Sequence, residues 1–218
     1  TFQSAISRKW RKGRVFLAGD AAHLMPPFMG QGMCAGIRDV SNLAWKIAYC
    51  LKNNHNEKLL NTYQSERYSN VKEYIKTTAK MGEFINAIGT SNITGEVSST
   101  SDGKKSMKSI KPKLGKGLGI VKDKNRGKIF PQFKLKNRKS FDGKFSLKPT
   151  LILSKEIKTN ILNRSNFIKL DKNKNLNKFF EDSNAKAVIV RPDRFILSSC
   201  KSVKDFKSYL ARNLFYLT

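Results

Sequence analysis

Gly19–Asp39 reads GDAAHLMPPFMGQGMCAGIRD, and this stretch decides the fold because it sets an acidic residue, a proline turn and a glycine-rich helix start in one loop. Just before it, Arg14–Ala18 (RVFLA) is a short apolar run without polar alternation, the pattern of a strand buried on both faces in a parallel sheet. The loop is therefore expected at the carboxyl end of a strand, the edge where open α/β sheets hold ligands. Asp20 follows Gly19, so its acceptor-only carboxylate would meet a ligand hydroxyl where backbone can come close. Pro26 and Pro27 stiffen the turn and remove two amide donors. Gly30 and Gly32 let the chain pass near a ligand just before a helical pattern begins.

That pattern is Met33, Ile37, Val40, Ala44, Ile47 and Leu51, with Arg38, Asp39, Asn42 and Lys46 falling between. A helix starting at Gly32 aims unpaired amides and the positive end of its dipole at the occupant of the loop. The expected ligand is an anion, or a group that becomes one. Such an effect is worth about 0.3–1 kcal/mol when exposed and up to about 2 when partly buried, enough to tune a cofactor without holding it alone.

From Gly13 to about Ala48 the sequence resembles, without a gap, the second flavin motif of the class A FAD-dependent aromatic hydroxylases, in the 3-(3-hydroxyphenyl)propionate hydroxylase and phenol hydroxylase branch. The likeness continues loosely through Leu59–Tyr68 (LLNTYQSERY). It implies FAD as cofactor, NAD(P)H as reductant, and an aromatic small-molecule substrate, best a phenolic acid, that receives one oxygen atom from O2. It also implies that Asp20 binds the ribityl chain and that Pro27 lies beside the isoalloxazine ring. The amides of Gly32, Met33 and Cys34 would meet the pyrimidine edge, with Gly30 allowing the approach. The cofactor carries the chemistry, so no side chain is assigned as acid or nucleophile. His23 is expected to belong to the structure of the motif, and Cys34 to contribute its amide rather than a reactive thiol.

The family also carries an amino-terminal GxGxxG turn for the FAD pyrophosphate, and none occurs in these residues. Gly115, Gly117 and Gly119 have the wrong spacing and read as a loop, and Asp102-Gly103 and Asp142-Gly143 sit in polar surroundings. The chain is thus expected to be the carboxyl-terminal portion of a hydroxylase. Its missing partner is the amino-terminal FAD-binding portion, without which it would bind FAD weakly or not at all and be inactive.

The expected class is α/β. Residues 1–89 would end a Rossmann-like FAD-binding domain, with a long helix from about Glu57 to Ile88 and Gly89 as its stop. Residues 90–128, rich in Ser, Thr, Lys and Gly, read as a linker or loop. In residues 129–218, β candidates at Ser146–Leu153, Asn166–Leu170, Ala187–Arg191 and Arg194–Ser198 precede a helix at Val203–Leu217. The last two strands flank Pro192-Asp193 as a hairpin. The order resembles the thioredoxin-like carboxyl-terminal domain of the phenol hydroxylase branch, which implies a homodimer.

Cys34, Cys50 and Cys200 form no CxxC pair, and with His23 and His55 they make no usual metal spacing. Three scattered cysteines and no recognisable signal segment point to the cytoplasm, and no apolar run reaches the roughly 18 residues of a membrane span. The net charge is +27, with 13 basic and 6 acidic side chains in residues 1–90 against 30 and 10 in 91–218. This supports a rival reading as a basic nucleic-acid-binding module, or as a non-catalytic dimerisation module. The lysines lie among Asn, Ser and Ile without an RNA- or DNA-binding motif, so nucleic acid is disfavoured and a solvated basic face preferred.

Overall fold

The computed structural model describes residues 2–53, 57–90, 110–119, 122–133, 148–157, 167–169, 173–209 and 211. The first part of the chain is built on short antiparallel pairs and two helices. Ala5–Ile6 (β1) pairs with His23–Leu24 (β4), and Arg11–Lys12 (β2) with Val15–Phe16 (β3). Arg14–Ala18 is therefore not a parallel strand buried on both faces. Gly13 takes a left-handed φ of 57° and turns Val15-Phe16 back onto Arg11-Lys12, which leaves Val15 67% exposed. The apolar run does feed the loop, but as one arm of a tight turn.

Gln31–Asn53 forms helix α1, beginning one residue before the expected Gly32, and Lys58–Thr90 forms helix α2, which runs through Gly89. Beneath them lies a core of Trp10, Ala22, Leu43, Tyr63 and Val71, flanked by Phe16, Leu17, Ile47 and Ile75. The Tyr63 hydroxyl donates to the Leu17 carbonyl (2.8 Å), tying α2 to the segment that enters the loop.

Helix α1 has an unusual orientation for an amphipathic helix, whose apolar stripe ordinarily faces the core. Here Met33 (76%), Leu51 (73%), Ile37 and Val40 are exposed, and of the six-residue pattern only Ile47 is partly covered in the core. The buried face instead carries Ala35, Asp39, Asn42, Leu43, Trp45 and Lys46.

The second part holds a four-stranded sheet in the order β6-β5-β7-β8. Thr150–Leu153 (β5) runs parallel to Phe167–Lys169 (β6) and antiparallel to Ala187–Val190 (β7), which pairs antiparallel with Ile196–Cys200 (β8). The β7–β8 hairpin closes around Pro192-Asp193, where Arg191 N–H donates to Phe195 O and Arg194 N–H to Arg191 O. Lys174–Asp182 (α3) has no counterpart in the sequence reading; the Asn173 side chain caps it by accepting from Leu176 N–H. Alternation along the strands covers both faces: Ile152, Val188 and Val190 pack with Leu176 and Phe180 of α3, while Leu151, Leu153 and Ile189 pack with Phe206 and Tyr209. Of the helix expected at Val203–Leu217, Phe206–Tyr209 is a helical turn, and residues 210 and 212–218 lie outside the described set.

Of the expected linker, residues 91–109 lie outside the described residues, whereas 110–119 and 122–128 pack closely without strand or helix. Leu114 is buried, Gly115 N–H donates to Glu66 O, and Gly127 N–H donates to Ile196 O, so this segment bridges α2 and the sheet.

The orientation of α1 predicts opposite responses on its two faces. Val40→Ser should change unfolding free energy in this chain by no more than about 0.5 kcal/mol, as for an ordinary surface substitution. Leu43→Ala should cost about 2–5 kcal/mol by opening the core. Urea unfolding of both variants measures this, and the reverse ranking would contradict the orientation.

Candidate functional site

The loop from Gly19 to Gly30 consists of a 3-10 turn at Gly19–Ala21, strand β4 and a second 3-10 turn at Pro27–Met29. Gly19 and Gly30 both adopt φ 59°, a left-handed conformation that a side chain would strain, and Gly30 ends the second turn immediately before α1. Gly19 also meets Gly36 of α1: a Cβ on Gly36 would stand 3.3 Å from the Gly19 Cα. Phe28 anchors the proline turn by packing against Gly82 of α2, where any Cβ would collide with its ring.

One buried carboxylate fixes the back of this loop. Asp39 Oδ2 accepts from Gly19 N–H (3.1 Å) and lies 2.6 Å from His23 Nε2, while Oδ1 accepts from Arg67 Nε (2.7 Å). Arg67 extends from α2 and also donates to the Ala35 carbonyl in α1. Burial pushes Asp39 upward, but the His23 hydrogen bond and the Arg67 guanidinium outweigh it and hold the carboxyl below its ordinary value. His23 is buried between Asp39 and the Trp10 ring, 5.4 Å away. That position gives it a structural task.

The front of the loop is open. Asp20 is exposed in the first turn, with no hydrogen-bond partner among the described residues. Pro27 and Gly30 are exposed, Gly32 and Cys34 are half-buried, and Met33 is exposed. Gly32 and Met33 lie in the first turn of α1, whose opening amides have no partner within the helix, and Cys34 follows them. The structure thus gathers all six expected residues along one segment: a free carboxylate, a rigid proline surface and helix-start donors. An open groove of about 490 Å³, lined by Arg11, Arg14, Phe16, Ile47, Cys50, Leu51, Glu57 and Leu60, borders none of them. Among the described residues no cluster could hold a metal ion, and no helix is long and apolar enough to cross a membrane.

A second buried cluster lies one turn further along α1. Arg191 donates to both oxygens of Glu66 (2.9 Å each) and to both oxygens of Asp193. Asn42 Nδ2 donates to Glu66 Oε2 and Asp193 Oδ2, and Lys46 Nζ donates to Glu66 Oε2 and Asn42 Oδ1 (2.8 Å each). Burial brings Lys46 down to about 8, with Glu66 pulling the other way. The sequence reading missed both the Asp39–Arg67 pair and the Glu66–Arg191–Asp193 cluster. The available signal was the run of polar residues opposite the apolar stripe of α1.

The description "FAD binding domain" matches residues 1–78 as a family model. A relative from Rhodococcus jostii (strain RHA1), called "Probable NADH-specific resorcinol 4-hydroxylase", is 50% identical over 82 residues, which is 38% of this chain and 15% of the relative. Residues 1–78 thus match an FAD-binding-domain model and are similar in sequence to FAD-dependent aromatic hydroxylases. A second relative, the "3-(3-hydroxy-phenyl)propionate/3-hydroxycinnamic acid hydroxylase" of Mycobacterium avium (strain 104), is 45% identical over 85 residues, 39% of this chain and 15% of that protein. The chain therefore spans about 15% of the length of the curated relatives it matches. Two solved structures share the fold over more of the chain. Aklavinone-11 hydroxylase with FAD and aklavinone superposes with a TM-score of 0.67 at 20% identity, covering 97% of this chain and 45% of that one. The rebeccamycin biosynthetic enzyme RebC with reduced flavin gives 0.62 at 21% identity, covering 90% and 44%. These likenesses show that the chain shares the fold of the matching portions of those two proteins.

The role of Asp39 predicts a pH-dependent defect. Its folded pKa lies below the ordinary 3.8, so it contributes stability above that value and loses it as pH falls through the folded pKa. Asp39→Asn should cost about 3 kcal/mol at pH 7, because Arg67 loses its buried counter-charge. Urea unfolding across the acid range should show variant and parent converging below pH 3.8; a gap independent of pH would contradict this.

Proposed function

We propose that Asp20, Pro27, Gly30, Gly32, Met33 and Cys34 form the ribityl- and pyrimidine-facing side of an FAD site, and that the chain is the carboxyl-terminal portion of a flavin-dependent monooxygenase acting on a phenolic acid. The observation that carries the reading is the pairing of a free, exposed Asp20 with the helix-start donors of α1, inside the segment that matches the FAD binding domain. The Asp20 carboxylate accepts hydroxyl hydrogens of the ribityl chain. Pro27 offers a rigid surface without an amide donor, against which a planar ring can lie. The first-turn amides of α1 favour negative charge on the pyrimidine edge, so they stabilise the reduced flavin over the oxidised one. When bound, the flavin supplies reduction by NAD(P)H and activation of O2; the protein residues orient it and set its electrostatics.

The residues fit one side of that cofactor. In the longer protein, an amino-terminal portion holds the adenine and pyrophosphate end and covers the exposed stripe of Met33, Ile37, Val40, Ala44 and Leu51. An exposed apolar row on a helix whose opposite face is already buried supports this. The sheet order and its parallel and antiparallel pairings support a thioredoxin-like unit for the second part, without redox chemistry, since its one cysteine, Cys200, lacks a CxxC partner. We further propose the division into residues 1–89, 90–128 and 129–218, a homodimer formed through the last unit, and a cytoplasmic location. The chain alone is inactive.

Riboflavin, which lacks phosphate and so is not drawn to the basic surface, is the discriminating probe. Titration of the isotopically labelled chain at millimolar riboflavin should shift the amides of Gly19–Ala21 and Gly30–Cys34, and Asp20→Ala should weaken this at least tenfold. The purified chain should carry no stoichiometric flavin absorbance. Shifts confined to residues 110–128 and 173–209 would sink the proposal.

A further inference from the structure

We propose that the Arg191-Pro192-Asp193 turn between β7 and β8 is a positioning device for helix α1 and, through the adjacent Glu66 and Arg67 of α2, for the Gly19–His23 turn. This deepens the flavin-site reading and rests on it for its functional meaning. The path is continuous and buried. Arg191 grips Glu66 through two donors and is itself braced by Asp193. Asn42 and Lys46 of α1 close on the same two carboxylates, and the Arg191 guanidinium lies 5.3 Å from the centre of the Trp45 ring, also on α1. The neighbour of Glu66, Arg67, points to Asp39, which holds Gly19 and His23. One dipeptide on α2 thus connects the hairpin of the second sheet to the proposed ribityl-binding turn.

Two features favour positioning over local stabilisation. Most of the apolar stripe of α1 is exposed, Ile47 excepted, so the polar contacts of its buried face carry much of what orients the helix. A buried network of two cations and two anions is also a poor source of net stability, because desolvation offsets much of the attraction, yet it accepts only one geometry. Gly117 completes the enclosure: a Cβ there would strike the Glu66 side chain, and Leu118 N–H fills the remaining face of Oε1 (2.9 Å).

The test uses the full chain and needs no flavin for its first readout. Arg191→Met with Asp193→Asn removes one cation and one anion, leaving the Lys46–Glu66 pair balanced. Hydrogen exchange should remain within twofold of the parent in β5 and β7 but accelerate at least tenfold at Gly19 and across residues 35–43. Faster exchange confined to the β7–β8 hairpin would overturn the proposal. Should the double variant lose the sheet itself, Arg191→Lys, which keeps charge but not the two-pronged grip, must give the same regional pattern at least threefold. An unchanged Gly19 and α1 would again overturn it. Riboflavin titration of the same variants is the second readout: at least threefold weaker shifts at Gly30–Cys34, with sheet stability unchanged, are expected. Faster exchange in variants of a parent that does not bind riboflavin would sustain the coupling and remove the flavin reading alone.

Discussion

A carboxylate taken out of water costs several kcal/mol unless its oxygens are filled by cations and donors. Glu66 meets that condition from three sources: Arg191 in the turn between β7 and β8, Lys46 and Asn42 on α1, and the Leu118 amide in the segment between α2 and the four-stranded sheet. Burial pushes its pKa upward, and the Arg191 and Lys46 charges override this, holding Glu66 well below the usual carboxylate range. The partners come from separate parts of the chain, so the carboxylate is satisfied only when helix, loop and sheet are all in place. It ties α1 and α2 to the turn between β7 and β8.

Asp39 does for the loop what Glu66 does for the whole. It stands three residues before Asn42 on α1, takes the Gly19 amide on one oxygen and Arg67 on the other, and leaves Asp20 facing outward. Within the GDAAH…IRD stretch, Asp39 holds the Gly19 amide while the neighbouring Asp20 stays exposed. Phe28 against Gly82 and Gly19 against Gly36 add close contacts that leave the proline turn little room to shift.

The loop, both long helices and the β7–β8 hairpin were legible in the sequence because each has a local cause: glycine and proline punctuation, 3.6-residue periodicity, or a Pro-Asp turn. The inward face of α1 was not legible. Periodicity says which residues share a face, and Met33, Ile37, Val40 and Leu51 do; it does not say whether this chain covers them. Arg14–Ala18 failed for a related reason, since a run of apolar residues suggests burial while Gly13 allows a turn that no pattern of hydrophobicity reveals. The ion network was hidden because its members are separated by up to 151 residues, and a charged residue ordinarily reads as surface. The glycines at 115 and 117 looked like loop filler, yet they are where backbone must pass against α2.

If the loop and α1 form one side of a flavin site, they should serve in place of the equivalent segment of a complete relative. The direct measurement is a chimera in which the 82 matching residues of the Rhodococcus jostii resorcinol hydroxylase relative are replaced by their counterparts from this chain. The account predicts about one flavin per chain, with Asp20→Ala in the chimera reducing that occupancy sharply. A folded chimera without flavin, beside a parent that holds it, would contradict the account.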